Sequence, residues 1–151
     1  MIISAQIIGG MIGVVAANLM FSEPAVSLSK TARGGPGVWL GEVIATAGLV
    51  LLIIALARSG RHQLIDWAVG AYITAGYWFT SSTSFANPAA TTARMFSDTF
   101  AGIQPASVPM FLLAQAVGGA AGYGLSRAIY ARPAPKAITE ENAHELQPTD
   151  N

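Results

Sequence analysis

SFANPAATTAR, residues Ser84 to Arg94, is the stretch on which the reading of this 151-residue chain turns. Pro88 suits the first turn of a helix, where its missing N–H costs nothing. Asn87 suits the cap in front of it. AATTARMF can continue as a short helix, about 87–97 in all. The surrounding Thr83–Ser107 is too polar to span a bilayer, yet too rich in Ala and Phe for a plain loop. It reads as loop, Asn cap, short helix, loop. Dipped into a membrane, it would turn the positive end of a half-helix and the Asn87 amide toward a passage. The plainer alternative is an ordinary helix start at a surface.

The flanks favour the membrane. Four long apolar segments occupy about 2–21, 38–57, 64–82 and 108–130. Each has the roughly 20 residues a helix needs to cross the hydrocarbon. The chain is 52% hydrophobic and 11% charged, with mean hydropathy +0.48. A soluble domain carries about 25% charged residues. Net charge is zero, so no nucleic-acid partner is expected. There is no Cys, which removes disulfides and thiol chemistry. His62 and His144 stand far apart in polar contexts, so no metal or other cofactor is expected. Neither a nucleotide-binding Gly-rich loop nor a Ser/His/Asp set is present, and an enzyme is not expected. The N-terminus has no basic n-region and no clear cleavage site, which argues against a signal peptide. Arg58, Arg61, Arg127, Arg132 and Lys136 fall on one side of the bilayer, against Lys30, Arg33 and Arg94 on the other. By the positive-inside rule the polar tail, 133–151, is cytoplasmic. Its composition predicts disorder.

One internal repeat stands out. AQIIGGMIG (Ala5–Gly13) and AQAVGGAAG (Ala114–Gly122) share Ala-Gln, Gly-Gly and a final Gly at the same spacing. Gly9/Gly13 and Gly118/Gly122 each offer a small face on which helices approach closely. Gln6 and Gln115 take equivalent places as structural supports. Either these helices are equivalent parts of a repeated architecture, or two small-residue helices resemble each other by chance. Glu42 is a carboxylate inside an apolar segment. Such a group needs partners, so a hydrogen-bonded structural role is expected, with proton relay as the alternative.

In this setting the residues resemble the major intrinsic protein family, the aquaporins and aquaglyceroporins. WFTSSTSFANPA followed by AQAVGGAAG matches that family's second Asn-Pro-Ala half-helix and sixth membrane helix. Gly41-Glu42 and Thr46 match the start of its fourth, where a buried Glu braces the re-entrant loops. The resemblance covers residues 1 to about 132. It implies an all-α membrane protein, an aquaporin-like bundle with helices three to six and one re-entrant half-helix. Glu23-Pro24-Ala25 looks like a degenerate first motif, but too few residues separate it from Glu42 to hold a further spanning helix. Helices one and two and the first motif are therefore expected to be absent.

The resemblance also implies site residues. Asn87, Pro88 and Ala89 form the pore motif. Ala75 and Ser84 carry over as filter positions by their spacing from Asn87. Ala90 stands where most members carry Arg. Arg94 follows one helical turn later, on the same face, with Asp98 as its expected partner. A lining of Ala75, Ser84 and Ala90 predicts a wide, weakly discriminating pore. Water, glycerol-like polyols or neutral metalloid acids are the expected solutes, in a multi-pass cell-membrane protein among lipid. A complete channel would be a homotetramer. The competing reading is a truncated, non-conducting remnant.

Overall fold

The computed structural model describes residues 2–130. The tail, 133–151, lies outside the described residues, as do Arg132 and Lys136. Five α-helices run in the order α1 (Ile2–Met20), α2 (Pro36–Arg58), α3 (Ile65–Phe79), α4 (Pro88–Ala93) and α5 (Val108–Ile129). Three single 3₁₀ turns, His62–Leu64, Arg94–Phe96 and Pro105–Ser107, join them. There is no strand among the described residues.

Local chemistry sets the ends. Pro36 opens α2 after Gly35, whose φ of 104° only glycine adopts readily. At the other end the Ser59 N–H closes on the Ala55 carbonyl and the Gly60 N–H on the Ala57 carbonyl, with Arg58 in the last turn. The 23 residues of α2 reach about 34 Å at 1.5 Å per residue. Two helical stretches, Pro36–Arg58 and Pro105–Ile129, are long and apolar enough to cross a membrane. The third helix ends sooner than its apolar sequence, at Phe79, because Thr80 turns extended with φ −111° and ψ 142°.

The central contact is α2 on α5, and glycines make it close. A Cβ at Gly118 would lie 2.5 Å from the Val43 carbonyl oxygen, and one at Gly122 would strike the Ala47 carbonyl. Where α3 meets α2, the Tyr72 hydroxyl lies over Gly48 and donates to the Ala45 carbonyl at 3.0 Å. A small apolar core of Phe85, Ile103, Val108 and Phe111 sits beside these helices, with Val38, Trp39 and Met95 against it. Large apolar side chains such as Leu40, Ile44, Leu113 and Val117 are exposed.

The repeat in the sequence is not a repeat in packing. A Cβ at Gly9 or Gly13 would meet nothing within 4 Å, and Gln6 is exposed. Among the described residues nothing packs on the face expected at Gly9 and Gly13. Instead α1 approaches α4 through Gly10, whose added Cβ would lie 3.1 Å from the Ala93 Cβ.

These contacts predict opposite outcomes for the two glycine pairs. Gly118→Ala and Gly122→Ala should each lower the thermal midpoint in detergent by several degrees, since overpacking costs about 1–3 kcal/mol. Gly9→Ala should leave it unchanged or raise it, because Ala is favoured over Gly within a helix by about 1 kcal/mol. Equal losses at all three would contradict this packing.

Candidate functional site

The site forms around a helix too short to stand alone. Six residues, Pro88–Ala93, make α4. Isolated helices under about 12 residues are marginal, so its caps and neighbours must hold it. Asn87, with φ −154° and ψ 120°, is the N-cap. Its Oδ1 accepts from the Ala89 N–H at 2.8 Å and the Ala90 N–H at 3.3 Å. The Asn87 amide nitrogen makes no hydrogen bond among the described residues and the side chain is exposed.

The approach to the cap is strained. Thr83, Ser84 and Ala86 have φ of 61°, 51° and 47°. Such backbone costs of order 1–3 kcal/mol per non-glycine residue and persists only where its surroundings over-determine it. Glu42, fully buried on α2, supplies the hold. Its carboxyl oxygens accept from the Phe85 N–H at 3.2 Å and the Ala86 N–H at 2.6 Å. From α5, Gln115 Nε2 donates to Glu42 Oε1 at 2.7 Å and to Thr91 Oγ1 at 2.8 Å. Thr91 donates in turn to the Asn87 carbonyl at 2.8 Å. One polar chain thus joins α2, α5 and both ends of the first turn of α4.

A second tie anchors the far end. Asn18, buried on α1, donates to the Ala25 carbonyl at 3.2 Å and the Phe96 carbonyl at 3.1 Å. It accepts from Ser97 Oγ at 2.7 Å. The loop after α1 then runs beside the segment after α4, with Ser29 N donating to the Met95 carbonyl and Gln104 N to the Thr31 carbonyl, each at 2.8 Å. Between α1 and α4 lies a cavity of about 640 Å³, walled by Ala17, Tyr77, Ala90, Ala93, Arg94 and Phe100 among others. Among the described residues, no three His, Asp or Glu side chains gather as a metal site.

Comparison with known proteins gives one strong likeness. The chain is 44% identical over 141 residues to the aquaglyceroporin AqpS of Rhizobium meliloti (strain 1021). The match takes in 92% of this chain and 60% of that protein. The chain belongs to the major intrinsic protein family. Its all-helical architecture is that of an aquaporin-like membrane bundle. The chain spans about 60% of the length of the relative it matches. No family model matches the chain, and no solved structure does.

Against the family's pattern, some expected site residues meet at the cavity and others do not. Ala90 and Arg94 line it, one turn apart as their spacing predicts. Ala75 is exposed and forms no part of the wall; Tyr77, further along α3, takes that place. Ser84 is 1% exposed, turned against Gly76, with its hydroxyl unpartnered. The positive φ at Thr83 and Ser84 turns it inward. Nor does Arg94 pair with Asp98. At Arg94 the helix tightens to 3₁₀ and at Ser97 it becomes extended, so the helical register is lost. Asp98 instead accepts from the Lys30 N–H at 2.8 Å, with Lys30 Nζ 3.9 Å from its carboxylate. Asn18, Thr91, Tyr77 and Arg33 complete the site without being singled out from the sequence. A lone Asn in the apolar run of α1 was the one available signal among them.

The bracket predicts a graded loss. Thr91→Val keeps shape and removes one hydrogen-bonding hydroxyl, costing about 1 kcal/mol. Gln115→Leu removes two hydrogen bonds at once, one of them to the charged Glu42 carboxylate, and should cost about 1.5–3 kcal/mol. Unfolding in detergent should rank them in that order; the reverse order would contradict the central place of Gln115.

Proposed function

We propose that this chain builds the wall of a passive channel for water and small uncharged solutes. Glycerol-like polyols and neutral metalloid acids are the class it suits. The observation that carries this reading is the pairing of a small residue, Ala90, with a displaced cation, Arg94, on the wall of one cavity. A full arginine at position 90 would occupy the space that Ala90 leaves open. The free Asn87 amide N–H₂, its oxygen already engaged by the cap, is a donor suited to passing hydroxyls. A positive lining opposes cations and protons. In this reading Asn87, Pro88 and Ala89 are the pore motif, and Glu42 is structural rather than a proton relay, because its two oxygens already serve three donors.

The protein would sit in the cell membrane with its tail on the cytoplasmic side, in line with the positive-inside rule. Leu40, Ile44 and Leu113 would face lipid. The complete channel would be a homotetramer with one pore in each subunit. The name of the relative, an aquaglyceroporin, supports the solute class.

A second reading, that this chain alone does not conduct, is favoured by the face of α1 at Gly9, on which nothing packs among the described residues. A closed pore would need something to cover it. Stopped-flow shrinkage of vesicles carrying the chain separates the two. Conduction by the chain should give faster shrinkage in sucrose, with glycerol entry above that of empty vesicles. Ala90→Arg should then lower glycerol entry about tenfold or more while water flow falls less. An unchanged glycerol-to-water ratio would overturn the wide-filter reading, and shrinkage no faster than in empty vesicles would support the non-conducting one.

A further inference from the structure

Phe85 carries two guanidinium groups. Arg33 Cζ lies 4.9 Å from the ring centroid and Arg94 Cζ 4.2 Å from it. Arg33 comes from the loop before α2, and Arg94 from the turn after α4. Among the described residues the one ion pair is Lys30 with Asp98, so neither arginine has a carboxylate at ion-pair distance.

The two are held differently. Arg33 is 8% exposed, and four of its five N–H groups are engaged. Its Nε donates to the Gly102 carbonyl at 2.7 Å and its Nη2 to the Phe100 carbonyl at 2.6 Å. Its Nη1 donates to the Ser82 carbonyl at 3.3 Å and to Thr83 Oγ1 at 3.2 Å. Burial, and then the charge of Arg94, hold the Arg33 guanidinium below the usual arginine range. Arg94 makes no side-chain hydrogen bond among the described residues, and its Nη1 is buried without a partner. Arg94 lines the cavity; Arg33 does not. Each cation is drawn to the ring by its quadrupole, while the two repel each other. With Arg33 fixed by four oxygens, only Arg94 can yield, and the cavity is the space open to it.

We infer that Arg33 is a positioning residue for the cavity: locked by its fork, it fixes Phe85 as a shelf and sets Arg94 in the cavity wall. It rests on the channel reading in taking the cavity as part of the solute path. Lys cannot replace it, because a point charge on a flexible stem cannot engage the same four oxygens.

The absence of Cys makes a clean test available. Ala17, exposed on α1 and part of the cavity wall, is changed to Ala17→Cys as a probe. The chain in neutral-lipid vesicles is then treated with anionic and cationic methanethiosulfonates of similar size. Arg94→Gln should lower the anion-to-cation rate ratio about fivefold, the effect of one unit charge removed at roughly 8 Å in water-like screening. Arg33→Gln and Arg33→Lys should each lower it by a comparable factor, and neither should lower it further once Arg94→Gln is present. An unchanged ratio in Arg33→Gln overturns the inference. So does full rescue by Lys, or an equal drop in the absence of Arg94. If circular dichroism finds the Arg33 variants unfolded, Phe85→Leu decides, since it removes the shared ring and keeps the Arg33 hydrogen bonds. A comparable drop supports the inference and an unchanged ratio overturns it. The ratio is read without conduction, so vesicles that pass no water would count against the channel reading alone.

Discussion

The Glu42 carboxylate accepting the Phe85 and Ala86 N–H groups is the interaction on which the rest depends. The backbone it receives is strained at Thr83, Ser84 and Ala86, none of them glycine. The helix that follows is too short to support itself. Without a fixed entry there is no fixed cap at Asn87, and no reason for Ala90 and Arg94 to face one cavity. A buried carboxylate is costly unless its oxygens are satisfied. Here that cost is offset by three N–H donors from two separate parts of the chain.

Glycine makes the bracket reachable. In hydrocarbon, helices gain little from burying apolar surface against each other, so close backbone approach and hydrogen bonds must hold them. Gly118 and Gly122 let α5 rest on the α2 carbonyls of Val43 and Ala47. That closeness places Gln115 within reach of Glu42 and Thr91 together. At the far end of α4, Asn18 of α1 and Ser29 and Arg33 of the loop after it do the corresponding work, fastening the chain that leaves α4.

What was legible in the sequence was local or chemically conspicuous. The Asn87 cap follows from the adjacent Pro88, and Glu42 stands out as a charge in an apolar run. Gly118 and Gly122 carry a packing pattern that the fold uses. Gly9 and Gly13 carry the same pattern unused, because spacing gives a small face without naming what meets it. Ala75 and Ser84 were placed by counting back from Asn87. Counting presumes a familiar path for the connection, and the positive φ at three residues there redirects it. The expected pairing of Arg94 with Asp98 presumed a helix running on to about residue 97, whereas α4 ends at Ala93 and the chain is extended by Ser97. Arg33 lies in a polar loop, where an arginine is ordinarily solvated, and only the folded chain brings Phe85, Phe100 and Gly102 around it.

Amide hydrogen exchange at Phe85 and Ala86 tests the central claim most directly, read in the protein and in Glu42→Gln within the same lipid. If the carboxylate holds the re-entrant segment, the substitution should speed exchange at both amides by about tenfold or more, the scale of a hydrogen bond to a charged group. Amides in the middle of α5 should keep their protection. Unchanged exchange at Phe85 and Ala86 would contradict the account and place the hold on that segment elsewhere.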